Sequence, residues 1–429
     1  MATDNTILRC EYIIPQKKRR CGMSRAANTN YCVEHSQGNA EVKDDKERVR
    51  VPCPLDPSHT VWKHNLKKHV RICNKAKITQ ATAAQPYFIK DLNRGPAELV
   101  ENELNNANLI ESVQLLLEAL NEYEEPQEQI KKNEFMESNR LIELSNTIKK
   151  HAKQQSSLIQ NLFDVELIPS GKIMEFGCGR AEFSRYINQT IINDDPYQLQ
   201  DDLPKYVLID RGSNRMKFDK KFQDDLMALS KNPEKVKQRI AIDRLKLDIK
   251  DLKLSTVIEE HDGCLAISKH LCGVATDLTL RCLQNCIEET NGKFKLQGIC
   301  IAMCCRHVCN ARDYINPDYI KSFLESKHSQ INYKTFFGHL SKMCSWATSG
   351  RRPGMNDDDI VQIEGDNQEQ LSISLLQREK IGLFARYLID NGRLEWVKQN
   401  LMNNKMKNAK IIKYIEPDVS RENNALLVY

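Results

Sequence analysis

The chain has 429 residues, of which 40% are hydrophobic, so it has room for two or three domains and a sizeable core. Its net charge of +5 is modest, so any affinity for a polyanion has to come from local patches. No uninterrupted apolar run reaches the length of a membrane span, and the first residues lack the apolar region of a secretory signal. We therefore expect a soluble, intracellular protein without membrane contact, whose 15 cysteines are metal ligands or buried thiols rather than disulfides.

The first segment, residues 1–40, is too polar to bury a core of its own. It contains four residues that could bind a metal ion, namely Cys10, Cys21, Cys32 and His35. A zinc ion held by three thiolates and one imidazole would supply the missing folding energy. Because the spacings are long, scattered thiols are the alternative, and we favour a CCCH-type zinc module.

Residues 48–76 contain a tighter set, with the spacing C-x5-H-x9-H-x3-C, formed by Cys53, His59, His69 and Cys73. His69 and Cys73 are four residues apart in a helix-compatible stretch, so both would face one ion in a CHHC-type finger. His64 falls outside this spacing and is predicted to be a surface residue. Basic residues accompany both modules, and we interpret them as phosphate contacts rather than only a solvated face: Lys17, Lys18, Arg19, Arg20, Lys63, Lys67, Lys68 and Arg71.

The pattern of apolar residues over residues 77–168 predicts a helical connector that packs on the following domain. Apolar residues recur at steps of three and four from Leu109 to Leu120, and a second such run begins at Leu141. From residue 169 onwards, strand and helix patterns alternate, which predicts a Rossmann-like α/β domain over residues 169–429.

The α/β domain opens with a strand, a Gly-rich turn and a helix over residues 172–186. Glu175, Gly177 and Gly179 form an E-x-G-x-G pattern, which fits S-adenosylmethionine sites better than the G-x-G-x-x-G pattern of dinucleotide sites. Glycines let the backbone approach a ligand, and the helix offers free N–H groups. Taken alone, an ordinary tight turn explains these glycines equally well.

The next two strand-like segments each end at an acidic residue. Asp210 follows the apolar residues 206–209, and Asp248 follows residues 244–247. Because ligands of an open α/β sheet lie beyond the carboxyl ends of its strands, we expect Asp210 to bind ribose hydroxyls and Asp248 an adenine amino group. A capping role is the alternative for each. The polar residues 188–205 are predicted to be an inserted loop.

Titratable residues follow two further strands, at residues 264–268 and 298–302. Lys269 and His270 come after the first strand, and Arg306 and His307 come after the second. A third zinc site formed by Cys304, Cys305, His307 and Cys309 is disfavoured, because adjacent cysteines cannot both point comfortably at one ion. The acidic residues 356–370 are predicted to be disordered, before a long helix and a closing pair of strands.

Over nearly its whole length, the chain resembles the eukaryotic tRNA ribose 2′-O-methyltransferases that modify position 4 of the acceptor stem. The resemblance rests on the two cysteine–histidine sets and on five further segments in the same order: EFGCGRAEFS, LIDRGSNRMKFD, SKHLCGVATDL, MCCRHVC and SWATSG. The chain departs from other methyltransferases at Ala181, where many have a third glycine. It also lacks the K-D-K-E set of better understood ribose methyltransferases, which leaves the general base unassigned.

The resemblance implies methyl transfer from S-adenosylmethionine to a ribose 2′-hydroxyl in the acceptor stem of tRNA. The wide minor groove of A-form RNA displays its 2′-hydroxyls, so the protein has to align the hydroxyl and remove its proton. Lys269, His270 and His307 are the candidates for this step, with Arg306 holding a phosphate. The choice between nucleus and cytoplasm, and the need for a protein partner, stay open.

Two alternatives to tRNA methylation remain. One is an RNA-binding adaptor whose methyltransferase-like fold has lost activity, and the other is a protein methyltransferase. The joint presence of the cofactor-site residues argues against a decayed site, and two basic zinc modules suit nucleic acid better than a protein substrate.

Overall fold

The structure is a computed structural model. It describes residues 8–14, 19–32, 35, 49–97, 107–142, 146–168, 171–193, 203–212, 217–229, 240–258, 263–366 and 368–429. The predicted basic residues Lys17 and Lys18 lie outside the described residues. The chain forms two compact units, Met1–Gln85 and Pro86–Tyr429.

The first unit contains small elements with very little apolar burial. Two short strands, β1 (Ile13–Ile14) and β2 (Arg19–Arg20), pair antiparallel, and so do β3 (Arg50–Cys53) and β4 (Asp56–Trp62). Helices α1 (Leu66–Ile72) and α2 (Asn74–Ala83) follow, and neither contains a buried residue. Because hydrophobic burial is so small, another interaction has to stabilise this unit.

The second unit is built on an eight-stranded sheet. In chain order its strands are β5 (Gln127–Glu128), β6 (Lys172–Phe176), β7 (Lys205–Ile209), β8 (Ile242–Leu245), β9 (Gly263–Cys272), β10 (Lys295–Cys304), β13 (Ala409–Lys413) and β14 (Asn424–Val428). A separate hairpin comprises β11 (Ile360–Glu364) and β12 (Gln370–Ser374). The helices are α3 (Leu109–Glu118), α4 (Glu134–Asn139), α5 (Asn146–Asp164), α6 (Glu182–Asn193), α7 (Lys221–Leu229), α8 (Ala275–Glu289), α9 (Pro317–Ser326), α10 (Tyr333–Thr348) and α11 (Leu375–Asn400).

The order of the strands reverses at β6. Across the sheet the order is β5-β13-β14-β10-β9-β6-β7-β8. The five strands from β10 to β8 are parallel, whereas β14 is antiparallel to both of its neighbours, β10 and β13. In such a doubly wound sheet a crevice opens at the reversal, beyond the carboxyl ends of β6 and β9. The predicted α/β fold with a largely parallel sheet and a closing strand pair is therefore confirmed.

Apolar clusters cover both faces of the sheet. Strand residues such as Met174, Val207 and Ile299 contribute to one cluster, and Ile173, Leu208 and Leu265 contribute to the other. Strands buried on both faces read as continuous apolar runs, which explains why they were visible in the sequence. A third cluster joins α3, α9, α10 and α11 beside the sheet.

The helices of the predicted connector lie inside the second unit. Leu109, Val113 and Leu116 of α3 belong to the apolar cluster that α10 and α11 also form. Leu158 and Leu162 of α5 pack against the sheet. This unit therefore includes residues from Pro86 onwards, and parts of the connector, residues 98–106 and 143–145, lie outside the described residues.

Two expectations about loops were wrong. The acidic residues 356–370 include β11 and the first residue of β12, and Ile363 and Ile373 of this hairpin are buried in the cluster around α3 and α11. Their burial outweighs the acidic composition on which the prediction rested. Residues 188–193 of the predicted inserted loop belong to α6, and residues 194–202 lie outside the described residues.

No helix among the described residues is both long enough and apolar enough to cross a membrane.

Candidate active site

The Gly-rich turn leaves the end of β6 at the reversal of strand order. Gly177 and Gly179 have φ angles of 67° and 51°, in the left-handed region that favours glycine. A Cβ atom at Gly177 would lie 3.2 Å from the carbonyl oxygen of His270. Ala181 takes the same left-handed conformation at φ 65°, although a third glycine is absent. The turn therefore exposes backbone without side chains to the crevice, directly before the N-terminus of α6.

Asp210 fixes this turn against the end of β7. Its Oδ2 accepts a hydrogen bond from the N–H of Gly179 at 2.7 Å, and its Oδ1 accepts one from the N–H of Gly212 at 2.6 Å. An ionised carboxylate has about four acceptor positions, so both oxygens can accept a further bond from a ligand hydroxyl. Asp210 therefore caps the turn and can also make the predicted contact with a ribose.

Glu175 lies under the turn rather than beside the crevice. Its side chain is buried, and its Oε2 accepts hydrogen bonds from the hydroxyl of Ser184 at 2.5 Å and from the N–H of Ser184 at 3.2 Å. Burial raises the pKa of Glu175 to about 7, partly offset by the bonds from Ser184. Direct cofactor contact by Glu175 is therefore corrected to a positioning role, in which it ties α6 to β6.

A cavity of about 560 Å³ occupies the crevice. Gly177, Asp210, Asp248, Ile249 and His270 are among the residues that line it. The volume lies within the range of small-molecule sites, and acids from two successive strand ends face an apolar wall. The side chain of Asp248 also caps the N–H of Lys250 at 3.2 Å, as the alternative interpretation predicted. These residues fit an adenosyl cofactor bound against bare backbone.

A larger cavity of about 1070 Å³ lies elsewhere in the second unit. Its lining includes Tyr123, Lys150, Arg386, Lys413 and Glu422. It shares no residue with the crevice and includes neither the Gly-rich turn nor the strand-end acids. The smaller cavity is therefore the candidate cofactor site.

A β-bulge near the end of β9 changes the direction of the next side chains. From Ser268 to Leu271, β9 uses three steps where β10 uses two, from Ile301 to Met303. Bulges are typical of sheet regions next to active sites, because they re-aim side chains. The extra residue falls in the segment that contains Lys269 and His270.

Lys269 is buried and lies between two histidines. Its Nζ is 2.8 Å from Nδ1 of His151 and 3.2 Å from Nε2 of His270. The two imidazole rings meet edge to face, with centroids 5.6 Å apart. His270 also lines the cavity, so its imidazole ring lies between the amine of Lys269 and the candidate cofactor site.

Removal from water lowers the pKa of Lys269 to about 8. Desolvation, followed by the positive charge of Lys269, also lowers the pKa of His151 and of His270. Both rings are therefore neutral near pH 7 and can accept hydrogen bonds from the ammonium group. The other titratable groups that act on Lys269 are Glu182, Glu175 and Cys304.

His151 is the residue of this cluster that sequence reasoning missed as a functional candidate. It is 118 residues away from Lys269, and in the sequence it belongs to a basic stretch of α5. Only the packing of α5 beside the end of β9 brings it to the amine. A basic stretch interrupted by one histidine was the only signal in the sequence.

Arg306 cannot hold a phosphate as predicted. It is 1% exposed, and its guanidinium donates bidentate hydrogen bonds to Asp390 of α11 and a further bond to Glu422. Burial opposes the charge of Arg306, but Asp390 and Glu422 raise its pKa above the ordinary value. His307 lies on the exposed side of the same turn. The predicted role of Arg306 is therefore corrected to an internal ion pair.

The four ligands of the CCCH set meet at one point in the first unit. Their ligand atoms all lie within 4.8 Å of one another, and the three thiols are buried. His35 Nδ1 is 3.5 Å from Cys10 Sγ and 3.4 Å from Cys32 Sγ. Tyr12 stacks on His35 with 3.9 Å between the ring centroids. This donor set suits a tetrahedral zinc ion, which would form the centre of a module with few apolar residues.

The CHHC set converges in the same way. Cys53 Sγ and Cys73 Sγ are 3.9 Å apart, and the Nε2 atoms of His59 and His69 are 3.0 Å apart. Nδ1 of His59 lies 3.6 Å from Asp56, as in sites where a carboxylate orients a metal-binding imidazole. His64 is exposed and lies outside the set, as predicted. These residues also fit zinc.

A doubly wound sheet with a Gly-rich turn at the strand reversal and acids after the next two strands defines a Rossmann-like methyltransferase. The family model described as "Methyltransferase TRM13" matches residues 153–429. The models "CCCH zinc finger in TRM13 protein" and "U11-48K-like CHHC zinc finger" match residues 8–36 and 50–74. The chain belongs to the TRM13 methyltransferase family.

Curated relatives match almost the whole chain. The protein of Saccharomyces cerevisiae named "tRNA:m(4)X modification enzyme TRM13" is 44% identical, over 98% of this chain and 96% of the relative. The protein of the same name from Vanderwaltozyma polyspora is 40% identical, over 98% and 97%. The mouse "tRNA:m(4)X modification enzyme TRM13 homolog" is 28% identical, over 97% and 93%.

Membership of this family implies S-adenosylmethionine as the methyl donor, and the two zinc-finger matches imply zinc in both N-terminal modules. The predictions of these two cofactors and of the family are therefore confirmed. When bound, the donor supplies an activated methyl group.

Replacing a ligand of the CHHC set tests the second zinc site. We expect Cys53→Ala to bind one zinc ion fewer per chain than the unmodified protein, because Cys53 is a buried ligand of a site that is otherwise almost without a core. His64→Ala, which changes a histidine of the same segment, should leave the zinc content unchanged. Elemental analysis of the purified full chain measures both, and equal zinc in Cys53→Ala and the unmodified chain would exclude this ligand.

Replacing the first glycine of the turn tests the cofactor site. Gly177→Ala should weaken S-adenosylmethionine binding at least about tenfold, because the added methyl group forces the left-handed turn and the end of β9 to move. Gly292→Ala is the matched control, since Gly292 has φ 74° but no atom within 4 Å of its Cβ position. Titration calorimetry gives both affinities. Equal weakening in the two variants would attribute the effect to general strain instead.

Proposed function

We propose that this chain transfers the methyl group of S-adenosylmethionine to the ribose 2′-hydroxyl at position 4 of the tRNA acceptor stem. The observation that carries the proposal is the desolvated amine of Lys269, held between two histidines beside the cavity of the Gly-rich turn. A relative at 44% identity carries the name of a tRNA modification enzyme, which supports tRNA as the substrate. The ribose and the position in the acceptor stem rest on the sequence resemblance.

In the proposed mechanism, Gly177 and the N-terminus of α6 hold the cofactor, and Asp210 and Asp248 bind its ribose and adenine. Lys269 in its neutral form accepts the proton of the attacking hydroxyl. The resulting ammonium group then donates hydrogen bonds to the neutral rings of His151 and His270. The pKa of Lys269, about 8, supports this role, because general base catalysis is most effective when the pKa of the base is close to physiological pH.

Exposed basic residues in the first unit support RNA contact. Lys67, Lys68 and Arg71 of α1 are exposed, and so are Arg19, Arg20 and Lys63. Lys67 and Arg71 are one helical turn apart and therefore lie on the same side of α1. A basic stripe of this kind contacts phosphates without reading bases, so it suits the positioning of a tRNA.

The decisive experiment is transfer of labelled methyl from S-adenosylmethionine to unfractionated tRNA by the purified full chain. We expect label in one 2′-O-methylated nucleotide of the acceptor stem, located by nuclease mapping. A tRNA with a 2′-deoxyribose at position 4 should accept no label. Label in a base or in protein would refute the proposed reaction. Cofactor binding and RNA binding without any transfer would instead support an inactive RNA-binding adaptor.

Removing the proposed base should abolish turnover while leaving cofactor binding intact. Lys269→Ala should lower kcat/KM at least about a hundredfold, because it removes general base catalysis. In the unmodified chain, kcat/KM should rise with pH and level off above a pKa of about 8, since the protonated amine cannot accept a proton. Steady-state rates across pH, with calorimetric titration of S-adenosylmethionine, measure both effects. An unchanged rate or pH profile in Lys269→Ala would remove Lys269 from the mechanism.

Neutralising α1 should reduce the salt dependence of tRNA binding. The double variant Lys67→Ala/Arg71→Ala should lower the slope of log K against log salt concentration by about 1.5, because two phosphate contacts are lost. A control that removes Lys321 and Lys398, which are paired with Asp318 and Glu395, should keep the slope. Filter binding at several salt concentrations provides the slopes, and identical slopes in all three proteins would contradict a role of α1.

A further inference from the structure

Three thiols that the proposed methyl transfer does not use converge at the carboxyl ends of β9 and β10. The sulfur atoms of Cys272, Cys304 and Cys305 all lie within 4.8 Å of one another. The Sγ atoms of Cys272 and Cys304 are 3.3 Å apart. We propose that these thiols bind a third zinc ion, in addition to those of the two N-terminal modules. This proposal does not depend on the identity of the methyl acceptor.

The bulge in β9 brings the first two thiols together. Ser268 pairs with Ile301, and without the extra residue Cys272 would pair with Cys305 instead of Cys304. The observed register pairs Cys272 with Cys304, and paired residues of neighbouring parallel strands point to the same face of the sheet. The register therefore places two thiolate donors side by side at the end of the sheet.

The backbone of Cys305 removes the objection to adjacent cysteines as ligands of one ion. Cys305 has φ 53° and ψ 44°, the left-handed conformation that residues other than glycine rarely adopt. In an extended strand, consecutive side chains point to opposite faces, whereas this turn brings the second thiol back to the first. Because of this conformation, the adjacent thiols of Cys304 and Cys305 can both point at one ion.

An internal ion-pair network holds this unusual turn in place. The N–H of Cys305 donates a hydrogen bond of 2.9 Å to Oε1 of Glu422, and the other oxygen of Glu422 accepts a bond from Arg306. Arg306 is in turn held by Asp390 of α11. The N–H of Gly273 also donates to the carbonyl oxygen of Cys304 at 3.0 Å. The turn is therefore fixed by side chains from α11 and from the segment before β14, and metal ligands are commonly oriented in this way.

The geometry of the cluster is close to that of the CHHC module. Two thiolates on a tetrahedral zinc ion lie roughly 3.8 Å apart, given zinc–sulfur bonds of about 2.3 Å. The corresponding distance is 3.9 Å in the CHHC set, and small rotations of the side chains would reach it from 3.3 Å. Cys272 is exposed and lines the cavity of the Gly-rich turn, so an ion can enter from solvent.

The three converging thiols differ from the set of Cys304, Cys305, His307 and Cys309 that the sequence suggested. Cys309 is buried, and its Sγ accepts a hydrogen bond from Arg393 at 3.3 Å. His307 is exposed, and among the described residues it does not belong to the converging set. Cys272, from the preceding strand, replaces them. Three protein ligands leave one tetrahedral position for water.

Zinc content of the full chain tests the proposal. After dialysis against a weak chelator, we expect three zinc ions per chain in the unmodified protein. Cys272→Ala and Cys305→Gly should each lose one of them. Cys305→Gly is informative because glycine accepts the left-handed conformation more readily than cysteine, so this variant removes a ligand while it relieves backbone strain. Circular dichroism and thermal unfolding verify that each variant is folded.

Cys286→Ala is the matched control, since Cys286 is a buried thiol of α8 that belongs to none of the converging sets among the described residues. It should keep all three ions. Two zinc ions in the unmodified chain, or three in both Cys272→Ala and Cys305→Gly, would overturn the proposal. Mass mapping of the unreduced protein excludes the competing arrangement: a Cys272–Cys304 disulfide in a chain with two zinc ions would also overturn it.

Discussion

The reversal of strand order at β6 is the constraint on which the rest of the second unit depends. It separates the crossover connections of β6 and β9, so that the ends of these strands have no helix above them. Every candidate cofactor contact then lies at one edge of one sheet, although the residues are spread from Gly177 to Asp248 along the chain. The chemistry of the site is therefore assembled by topology, and each strand has only to end in a suitable side chain.

Buried titratable side chains hold the turns at the carboxyl ends of the strands in place. Glu175 and Arg306 are titratable residues that look functional in the sequence, yet both are buried and make internal hydrogen bonds, Arg306 with Asp390. Breaking a buried pair leaves an uncompensated charge, so such groups hold a single arrangement of the turns above them. The acids that line the candidate cofactor cavity, Asp210 and Asp248, are partly exposed instead.

The sequence was sufficient for the features that local pattern encodes. Buried parallel strands read as apolar runs, the Gly-rich turn needs particular residues, and the spacing of Cys53, His59, His69 and Cys73 already fits one ion. What could not be predicted depends on packing between distant segments. His151 reaches Lys269 across 118 residues, and Ile363 and Ile373 order an acidic hairpin only because α3 and α11 offer them an apolar surface. The burial of Arg306 likewise requires Asp390, which lies on a helix far along the chain.

The extra residue in β9 links two features of the protein, the Lys269 cluster and the group of three thiols. It sets the direction of Lys269 and His270, and it also determines which cysteine of β10 stands opposite Cys272. Substitutions can alter either feature alone, but a deletion of one residue in this segment shifts both at once. Among descendants of this sequence, the length of the stretch from Ser268 to Gly273 should therefore be held constant, together with the identity of Lys269.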